Sequence, residues 1–367
     1  MILVDGIGIA QPGASDPLRR ACAFFRGLRP DGPVPLPAGG WAAPARADMG
    51  LPGLPQSATG HTAILTGINA AQLLGRHLPG FPTVTLKAMI RGGNLFRRLA
   101  QCGRRALYVN AYRPVHPLAV KRGLRSAAAM AAEENGQRLL GVRDILEGRA
   151  LHHDFTNTVL IRHGERLPRY TPRHAGRLLG RMAGALDLGF FEYFLTDLAG
   201  HAQDTDEARK QVSRIGEFLE GVLEETDLGC TNILVCSDHG NLEDLSVRTH
   251  TRNPVPLLVW GPGAEEVASR TAGMMISISS EPNKPPSLPW GLSAATPRRG
   301  WGKPKSRARQ RQVRPNSRTR PSWLRRWGTS LRGQWMVANT TRKLPPASIM
   351  ATSGARVRSL SNSVWPG

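Results

Sequence analysis

The stretch FFEYFLTD, residues 190–197, decides the fold, because it is a mostly apolar run that stops at an aspartate, with His201 four residues further on. Two other runs share this pattern: ILVD at residues 2–5 and ILVCSD at residues 233–238, which His239 follows. Short apolar runs bounded by glycine or polar residues predict buried strands of a parallel sheet. Because ligands bind outside the carboxyl ends of such strands, we expect carboxylates and imidazoles to meet at one sheet edge, where a divalent metal would bind.

Strand and helix patterns alternate through residues 1–270, which predicts an α/β domain with a mostly parallel sheet flanked by helices. Further strands are expected at 105–112, 157–162 and 255–260. Thr171-Pro172 is a helix-start signal, and an amphipathic helix is predicted from His201 to about Glu225. The Pro- and Gly-rich stretch 12–55 has little periodicity beyond a short helix at 17–28.

The charge of this 367-residue chain is unevenly distributed. Its formal net charge is +22, yet residues 271–367 hold 18 Lys and Arg against the single acid Glu281, so residues 1–270 carry only +5. The last 97 residues are rich in Arg, Pro, Ser and Trp without sustained periodicity, which predicts a disordered basic tail. Two interpretations stay open: a tail that binds nucleic acid through phosphate contacts, or an out-of-frame reading of a GC-rich coding region.

Composition also restricts the compartment. The chain lacks an apolar run of 18 residues and opens directly on a strand, so we expect neither a membrane span nor a signal peptide. The four cysteines, Cys22, Cys102, Cys230 and Cys236, have no metal-binding spacing and are predicted to be small buried thiols. A reducing cytoplasm fits this composition.

Polar motifs follow the predicted strands. They are Asp5-Gly6, Ser57-Ala58-Thr59-Gly60-His61, Asp197-Leu198-Ala199-Gly200-His201, Ser237-Asp238-His239-Gly240-Asn241 and Thr249-His250-Thr251. Mixed carboxylate and imidazole ligands suit Zn²⁺ or Mn²⁺ rather than Ca²⁺, which takes oxygen ligands. A serine hydroxyl becomes a useful nucleophile when a dication lowers its pKa, and a second ion can stabilise the leaving oxygen.

In this order, the five motifs resemble the metalloenzyme branch of the alkaline phosphatase superfamily, which includes cofactor-independent phosphoglycerate mutase and phosphopentomutase. The resemblance covers roughly residues 1–265. It implies an alkaline-phosphatase-like fold and two divalent ions, Mn²⁺ or Zn²⁺. It assigns one ion to Asp197, His201 and His250, and the other to Asp5, Asp238 and His239, with Ser57 as the metal-linked nucleophile that takes the phosphoryl group.

Several residues near the motifs have alternative interpretations. Thr59 shares the loop of Ser57 and is the alternative nucleophile. His61 is predicted to be structural, at a helix start, rather than a ligand. Four acids beside the motifs are predicted to be solvated or capping charges: Asp204, Asp206, Glu243 and Asp244.

The predicted function is metal-dependent phosphoryl transfer on a small phosphorylated metabolite through a phosphoserine at Ser57. Family members carry a cap domain between the nucleophile and the later motifs; here it is predicted to be a small insertion at about residues 115–170, which favours hydrolysis over a full mutase reaction. Phosphomutase-like and phosphomonoesterase activities both stay open. A sulfatase is not expected, because the nucleophile segment lacks the Cys/Ser-x-Pro-x-Arg pattern. The alternatives are a nucleic-acid-binding protein acting through the tail, or an inactive relative.

Overall fold

The computed structural model describes residues 1–11, 16–113 and 125–275. Its strands are β1 (Ile2–Val4), β2 (Val34–Leu36), β3 (Gly40–Ala45), β4 (Ala106–Tyr108), β5 (Asn110–Ala111), β6 (Leu151–His152), β7 (Leu188–Tyr193), β8 (Ile233–Cys236) and β9 (Val255–Trp260). Its helices are α1 (Pro17–Ala21), α2 (Ser57–Thr66), α3 (Ala70–Leu74), α4 (Val84–Gly92), α5 (Leu95–Gln101), α6 (Ala127–Glu133), α7 (Val142–Leu146), α8 (Thr158–Arg162), α9 (Pro172–Gly184), α10 (Leu195–Ala202), α11 (Thr205–Glu225) and α12 (Ala264–Thr271).

Seven strands form the central sheet in the order β2-β3-β9-β8-β1-β7-β4. Strands β8, β1, β7 and β4 pair in parallel. Strand β9 pairs antiparallel with β8 and β3, and β2 pairs antiparallel with β3. Five of the seven strands therefore point the same way, with β2 and β9 opposed, which confirms the predicted α/β class with a mostly parallel sheet.

Helices cover both faces of the sheet. Successive side chains of a strand point to opposite faces, so each strand contributes to the apolar cluster on either side. In β1, Ile2 and Val4 pack in one apolar cluster with α9 and α11, whereas Leu3 packs in the other with α2, α5 and α6. The central strand is thus buried on both sides. The apolar positions that predicted the long helix, such as Val212 and Phe218, form its buried face.

Three local predictions were wrong. Residues 157–162 form no strand: Asn157 takes a left-handed φ of 62° and Thr158–Arg162 is a helix, since short apolar runs do not distinguish the two. The long helix does not begin at His201, because α10 ends at Ala202 and Asp204 caps α11. Strands β2 and β3 lie inside the stretch predicted to be irregular. Gly40 and Pro44 are unfavourable in strands, so the sequence of β3 does not indicate the strand that pairs with β9.

The cysteines differ from the prediction that all four are buried. Cys22 and Cys236 are buried, whereas Cys102 and Cys230 are exposed. Cys230 lies in the turn before β8 and is therefore outside the sheet that was expected to cover it.

The predicted cap and tail fall partly outside the described residues, which exclude 114–124 and 276–367. Within the described part of the cap stretch, α6 packs in the same apolar cluster as Leu3 and Phe190 of the sheet. The domain limits at 270 and the cap at about 115–170 stay predictions. Among the helices of the described ranges, none has both the length and the apolar character needed to cross a membrane.

Candidate metal centre

Three predicted aspartates meet at the carboxyl edge of the sheet. Asp5 follows β1 directly, Asp238 comes two residues after β8, and Asp197 lies in the first turn of α10, after β7. Strands β7, β1 and β8 are parallel neighbours, so their carboxyl ends share one edge. The backbone N–H of Asp5 donates to the Tyr193 carbonyl over 2.8 Å, which fixes the end of β1 against β7.

One group of candidate ligand atoms comes from Asp5, His61 and Asp238, which lie within 4.8 Å of one another. His61 Nε2 is 3.0 Å from Asp238 Oδ2 and 3.6 Å from Asp5 Oδ2. All three side chains are buried. His61 was predicted to be structural, but its place on α2, one turn after Ser57, points its ring at both carboxylates.

A second group comes from Asp197, His239 and His250, also within 4.8 Å. His250 Nε2 is 3.6 Å from Asp197 Oδ1, and the more exposed His201 places Nε2 3.3 Å from Asp197 Oδ2. Because a carbonyl oxygen only accepts, Nδ1 of His201 donates to Arg248 O, and Nδ1 of His250 donates to Pro55 O. Each ring therefore presents Nε2 to the centre, because a hydrogen bond from Nδ1 to a backbone carbonyl fixes the orientation of the ring.

His239 lies between the two groups. Its Nε2 is 3.2 Å from Asp5 Oδ1, 3.3 Å from Asp238 Oδ2 and 2.9 Å from Ser57 Oγ. The ring also stacks on His250 with centroids 3.6 Å apart. All seven residues predicted from sequence thus lie in one place, with His61 as an eighth. We call the three aspartates and four histidines the edge cluster: Asp5, His61, Asp197, His201, Asp238, His239 and His250.

The carboxylates of the edge cluster shift one another's protonation. Burial, and then the negative charges of Asp238 and Asp197, raise the pKa of Asp5 to about 7. Burial opposes the charged form of Asp238 too, but the charges of His239 and His61 hold the pKa of Asp238 well below its ordinary value. Three acids packed together are thus charged only where positive groups face them.

The imidazoles respond in opposite directions. Burial alone would lower the pKa of His239, but the charge of Asp238 and the facing Asp5 carboxylate outweigh it and raise the pKa to about 10. Burial, followed by the positive charge of His239, lowers the pKa of His250 to about 4. His250 is therefore neutral at pH 7, the form in which an imidazole binds a metal.

Asn241 and Glu243 hold the loops of the centre together. Asn241 Nδ2 donates to Asp197 Oδ1 over 2.6 Å and so orients that carboxylate. The Glu243 carboxylate accepts from the backbone N–H groups of Gly8 and Asn241, each over 2.8 Å, and from the hydroxyl of Thr251. One buried side chain thus connects three segments that carry edge-cluster residues.

Two glycines make this connection sterically feasible. A Cβ on Gly8 would lie 2.2 Å from Glu243 Oε1, and a Cβ on Gly240 would lie 2.2 Å from Thr251 Oγ1. The prediction that Glu243 is solvated or capping was wrong, because its side chain is fully buried. Its signal in the sequence was its place two residues after the motif that ends at Asn241. Asp204, by contrast, does cap α11 as expected.

The residues fit a divalent metal on the geometry of their own atoms. Among the residues that the structure describes, the buried atoms Asp5 Oδ1, His61 Nε2 and Asp238 Oδ2 have no hydrogen-bond partner, which is costly for polar atoms. Within the described residues, only histidines form ion pairs with Asp5, Asp197 and Asp238. Carboxylate oxygens and imidazole nitrogens are the ligand types of Zn²⁺ and Mn²⁺.

Known proteins resemble parts of this chain. The 2,3-bisphosphoglycerate-independent phosphoglycerate mutase of Haloarcula marismortui is 34% identical over 71 residues, which cover 18% of this chain and 14% of that relative. The chain thus matches about a seventh of the relative's length.

Similar solved structures cover more of the chain at lower identity. The PH0037 protein of Pyrococcus horikoshii is 13% identical with a TM-score of 0.43, over 74% of this chain and 90% of its own. The alkaline phosphatase of the Antarctic bacterium TAB5 is 14% identical with a TM-score of 0.39, over 75% and 93%. Leishmania mexicana phosphoglycerate mutase is 13% identical with a TM-score of 0.34, over 71% and 90%.

A family profile matches one segment of the chain. It is that of the metalloenzyme superfamily, and it covers residues 180–282, which include Asp197, His201, Asp238, His239 and His250. These are five of the edge-cluster residues, in the order on which the resemblance was based. Over residues 180–282 the chain thus matches the metalloenzyme superfamily, in agreement with the resemblance that its motifs predicted.

Proposed function

We propose that the chain catalyses metal-dependent phosphoryl transfer on a small phosphorylated metabolite through a phosphoserine at Ser57. The observation that carries this proposal is the edge cluster itself: three buried carboxylates and four imidazoles, with His239 Nε2 2.9 Å from Ser57 Oγ. Buried carboxylates packed against one another and against imidazoles are stabilised when cations bind beside them. A nucleophilic hydroxyl at that point suits transfer of an anionic group.

The proposed metal ligands are the residues that the sequence indicated, together with His61. Asp197, His201 and His250 would hold one ion, with Asp5 and Asp238 at the other and His239 between them. Two bound Mn²⁺ or Zn²⁺ ions would neutralise the phosphoryl oxygens and lower the pKa of the serine hydroxyl.

Ser57 is positioned for attack by the helix that it begins. It is the first residue of α2, so its backbone N–H and the next two point out of the helix end, where they favour an anion. The contact with His239 fixes the direction of Ser57 Oγ. A bond would form from Oγ to phosphorus as the bond from phosphorus to the substrate oxygen breaks, and the proton lost from the serine hydroxyl would balance the leaving oxygen, which departs as a hydroxyl. The phosphoserine passes its phosphoryl group to a second hydroxyl, in a mutase, or to water, in a phosphatase.

Thr59 is the weaker candidate nucleophile. Its hydroxyl donates to the Gln56 carbonyl over 3.0 Å and accepts from the Leu78 N–H over 3.3 Å, and its side chain is fully buried. These contacts favour a structural role in the first turn of α2.

The substrate would enter beside Ser57. A cleft of about 410 Å³ adjoins the start of α2, with Gln56, Arg76 and His77 among its lining residues. This volume suits a small metabolite, and the Arg76 guanidinium offers a charge to an anionic group away from the reacting phosphate.

The proposal is tested by trapping the phosphoserine. The purified chain would be mixed with phosphorylated sugars and glycerates in Mn²⁺ or Zn²⁺, quenched in acid and analysed by peptide mass spectrometry. We expect phosphate on Ser57, none in Ser57→Ala, and an unchanged signal in Thr59→Ala. Phosphate on Thr59, or full turnover by Ser57→Ala, would reject Ser57 as the nucleophile.

The same reactions separate the two activities. Release of inorganic phosphate identifies a phosphatase, whereas an isomerised phosphate ester without release identifies a mutase. A chelator should stop either reaction, and added Mn²⁺ or Zn²⁺ should restore it.

A further inference from the structure

Glu192 is a buried acid beside the edge cluster that the sequence motifs do not include. It lies in β7 and is 4% exposed. Its Oε2 accepts from Tyr108 OH over 2.7 Å and from Ser126 Oγ over 3.1 Å. The Tyr112 hydroxyl contacts the Tyr108 hydroxyl at 2.8 Å and completes a small hydroxyl network around this oxygen. The network contacts one carboxylate oxygen, Oε2, and does not include the other, Oε1.

The other carboxylate oxygen, Glu192 Oε1, faces His61. Glu192 Oε1 is 3.2 Å from His61 Nδ1, and a carboxylate can only accept, so Nδ1 carries the proton. In a neutral ring the lone pair then lies on Nε2, which points at Asp238 Oδ2 and Asp5 Oδ2. Nε2 and the two carboxylate oxygens thus converge on one point, where either a proton on Nε2 or a bound cation can hold them together.

We propose that Glu192 is a positioning residue that holds His61 as a ligand of the cation bound by Asp5 and Asp238. This inference rests on the metal centre of the proposed function. It extends that centre, because the family resemblance gave His239, and not His61, as the imidazole ligand beside Asp5 and Asp238. With His61 in this group, His239 is available to the group of Asp197 and His250. The candidate ligand atoms of these three residues lie within 4.8 Å of one another.

A purely structural role for the pair makes a different prediction. If Glu192 and His61 only stabilise α2 against β7, replacing either should lower the thermal stability and leave metal binding unchanged. A ligand role should instead weaken the binding of one ion and spare the other. The number of ions bound and the affinity of each therefore decide between the two.

The experiment is a Co²⁺ titration of the full chain after chelator treatment, followed by visible absorption, with metal content measured after gel filtration. We expect two ions in the unmodified chain. In Glu192→Gln one of them should bind about 10- to 100-fold more weakly, the usual effect of losing a partner of a ligating histidine. Glu192→Leu should weaken it further, because glutamine still offers an acceptor oxygen to His61.

Further variants keep the test valid if Glu192 variants fold poorly. His61→Asn should lose the same ion, and its absorption bands should change in the same way. Tyr108→Phe removes a donor from Oε2 without touching Oε1, so it should weaken that ion less than Glu192→Gln. Exposed Cys102→Ser is the matched control and should leave both affinities unchanged.

Two failures are distinguishable. If the unmodified chain binds no ion, the proposed function fails and this inference with it. If the unmodified chain binds two ions and both His61→Asn and Glu192→Gln bind them with unchanged affinity, only this inference is overturned.

Discussion

Asp144 and the edge cluster both bury carboxylates, but their neighbours differ. The Asp144 side chain is 3% exposed and accepts from Arg138 at 2.6 Å and 2.7 Å, from Arg149 at 3.0 Å and from the Gly141 N–H at 2.9 Å. Its hydrogen bonds with Arg138 lead in holding the pKa of Asp144 well below its ordinary value. The acids of the edge cluster face other acids and histidines. Burial against permanently charged arginines is typical of a structural acid, whereas burial against other acids and imidazoles, which can bind a metal, indicates a candidate cation site.

Exchanging one acid of the edge cluster gives the largest expected effect. Asp238→Asn keeps the volume and removes one ligand charge, so turnover should fall about a thousand-fold or more, as when one member of a catalytic unit is lost. The circular dichroism spectrum should stay that of the wild type, because asparagine keeps the shape of the buried side chain. Steady-state rates and circular dichroism measure both. Wild-type turnover by this variant would remove the distinction between the two regions.

The matched exchange at Asp144 should have the opposite profile. Asp144→Asn leaves the Arg138 and Arg149 donors with a poorer acceptor, so the free energy of unfolding should fall by about 1–2 kcal/mol. Solvent around the two exposed arginines keeps the loss below that of a fully buried pair. Turnover and metal content should not change. Urea unfolding with parallel metal analysis tests this, and loss of bound metal would contradict it.

Acid should reduce the stability difference between wild type and Asp144→Asn. The pKa of Asp144 is depressed in the folded state, so its charge stabilises the fold fully above its ordinary value of 3.8. This contribution is lost as the pH falls below 3.8 toward the folded pKa. Urea midpoints of the two proteins should therefore converge between about pH 5 and pH 3. A gap that widens over this interval would show the wrong sign.

The smallest effect is expected where charges are fully solvated. Arg173 pairs with Glu224 between α9 and α11, and its side chain is 50% exposed. Arg173→Gln should shift the thermal midpoint by less than about 2 °C, because solvent screens an exposed pair. A shift as large as that of Asp144→Asn would mean that burial does not control how strongly a charge pair stabilises this fold.

Motifs predicted the acids of the centre better than they predicted its supports. The aspartates were predictable because each follows an apolar strand, and parallel strands share an edge. His61 lay inside a recognised segment and Glu243 lay two residues after one, yet their roles depend on which way a side chain points from a helix or loop. Glu192 could not be predicted at all: it sits in the middle of the apolar run FFEYFLTD, and its partners Tyr108 and Ser126 lie far away in sequence.

The fold was predictable where the periodicity was strong. Strand β9 and the Thr171-capped start of α9 agree with the sequence pattern in detail. Helix α8 and strands β2 and β3 were not predicted, because five-residue runs and proline-containing strands carry little periodicity. Tertiary pairing with β9, not local propensity, makes Gly40–Ala45 a strand.

The place of β1 has a consequence for how the chain acquires its structure. The strand pairs with β7 and β8, which begin only at Leu188 and Ile233. The apolar run Ile2–Val4 cannot pair until these strands have been synthesised. Contacts between residues so far apart in sequence also form slowly. Refolding from denaturant should accordingly be slow and prone to aggregation at high protein concentration, because Ile2–Val4 stays accessible to other chains until β8 is in place.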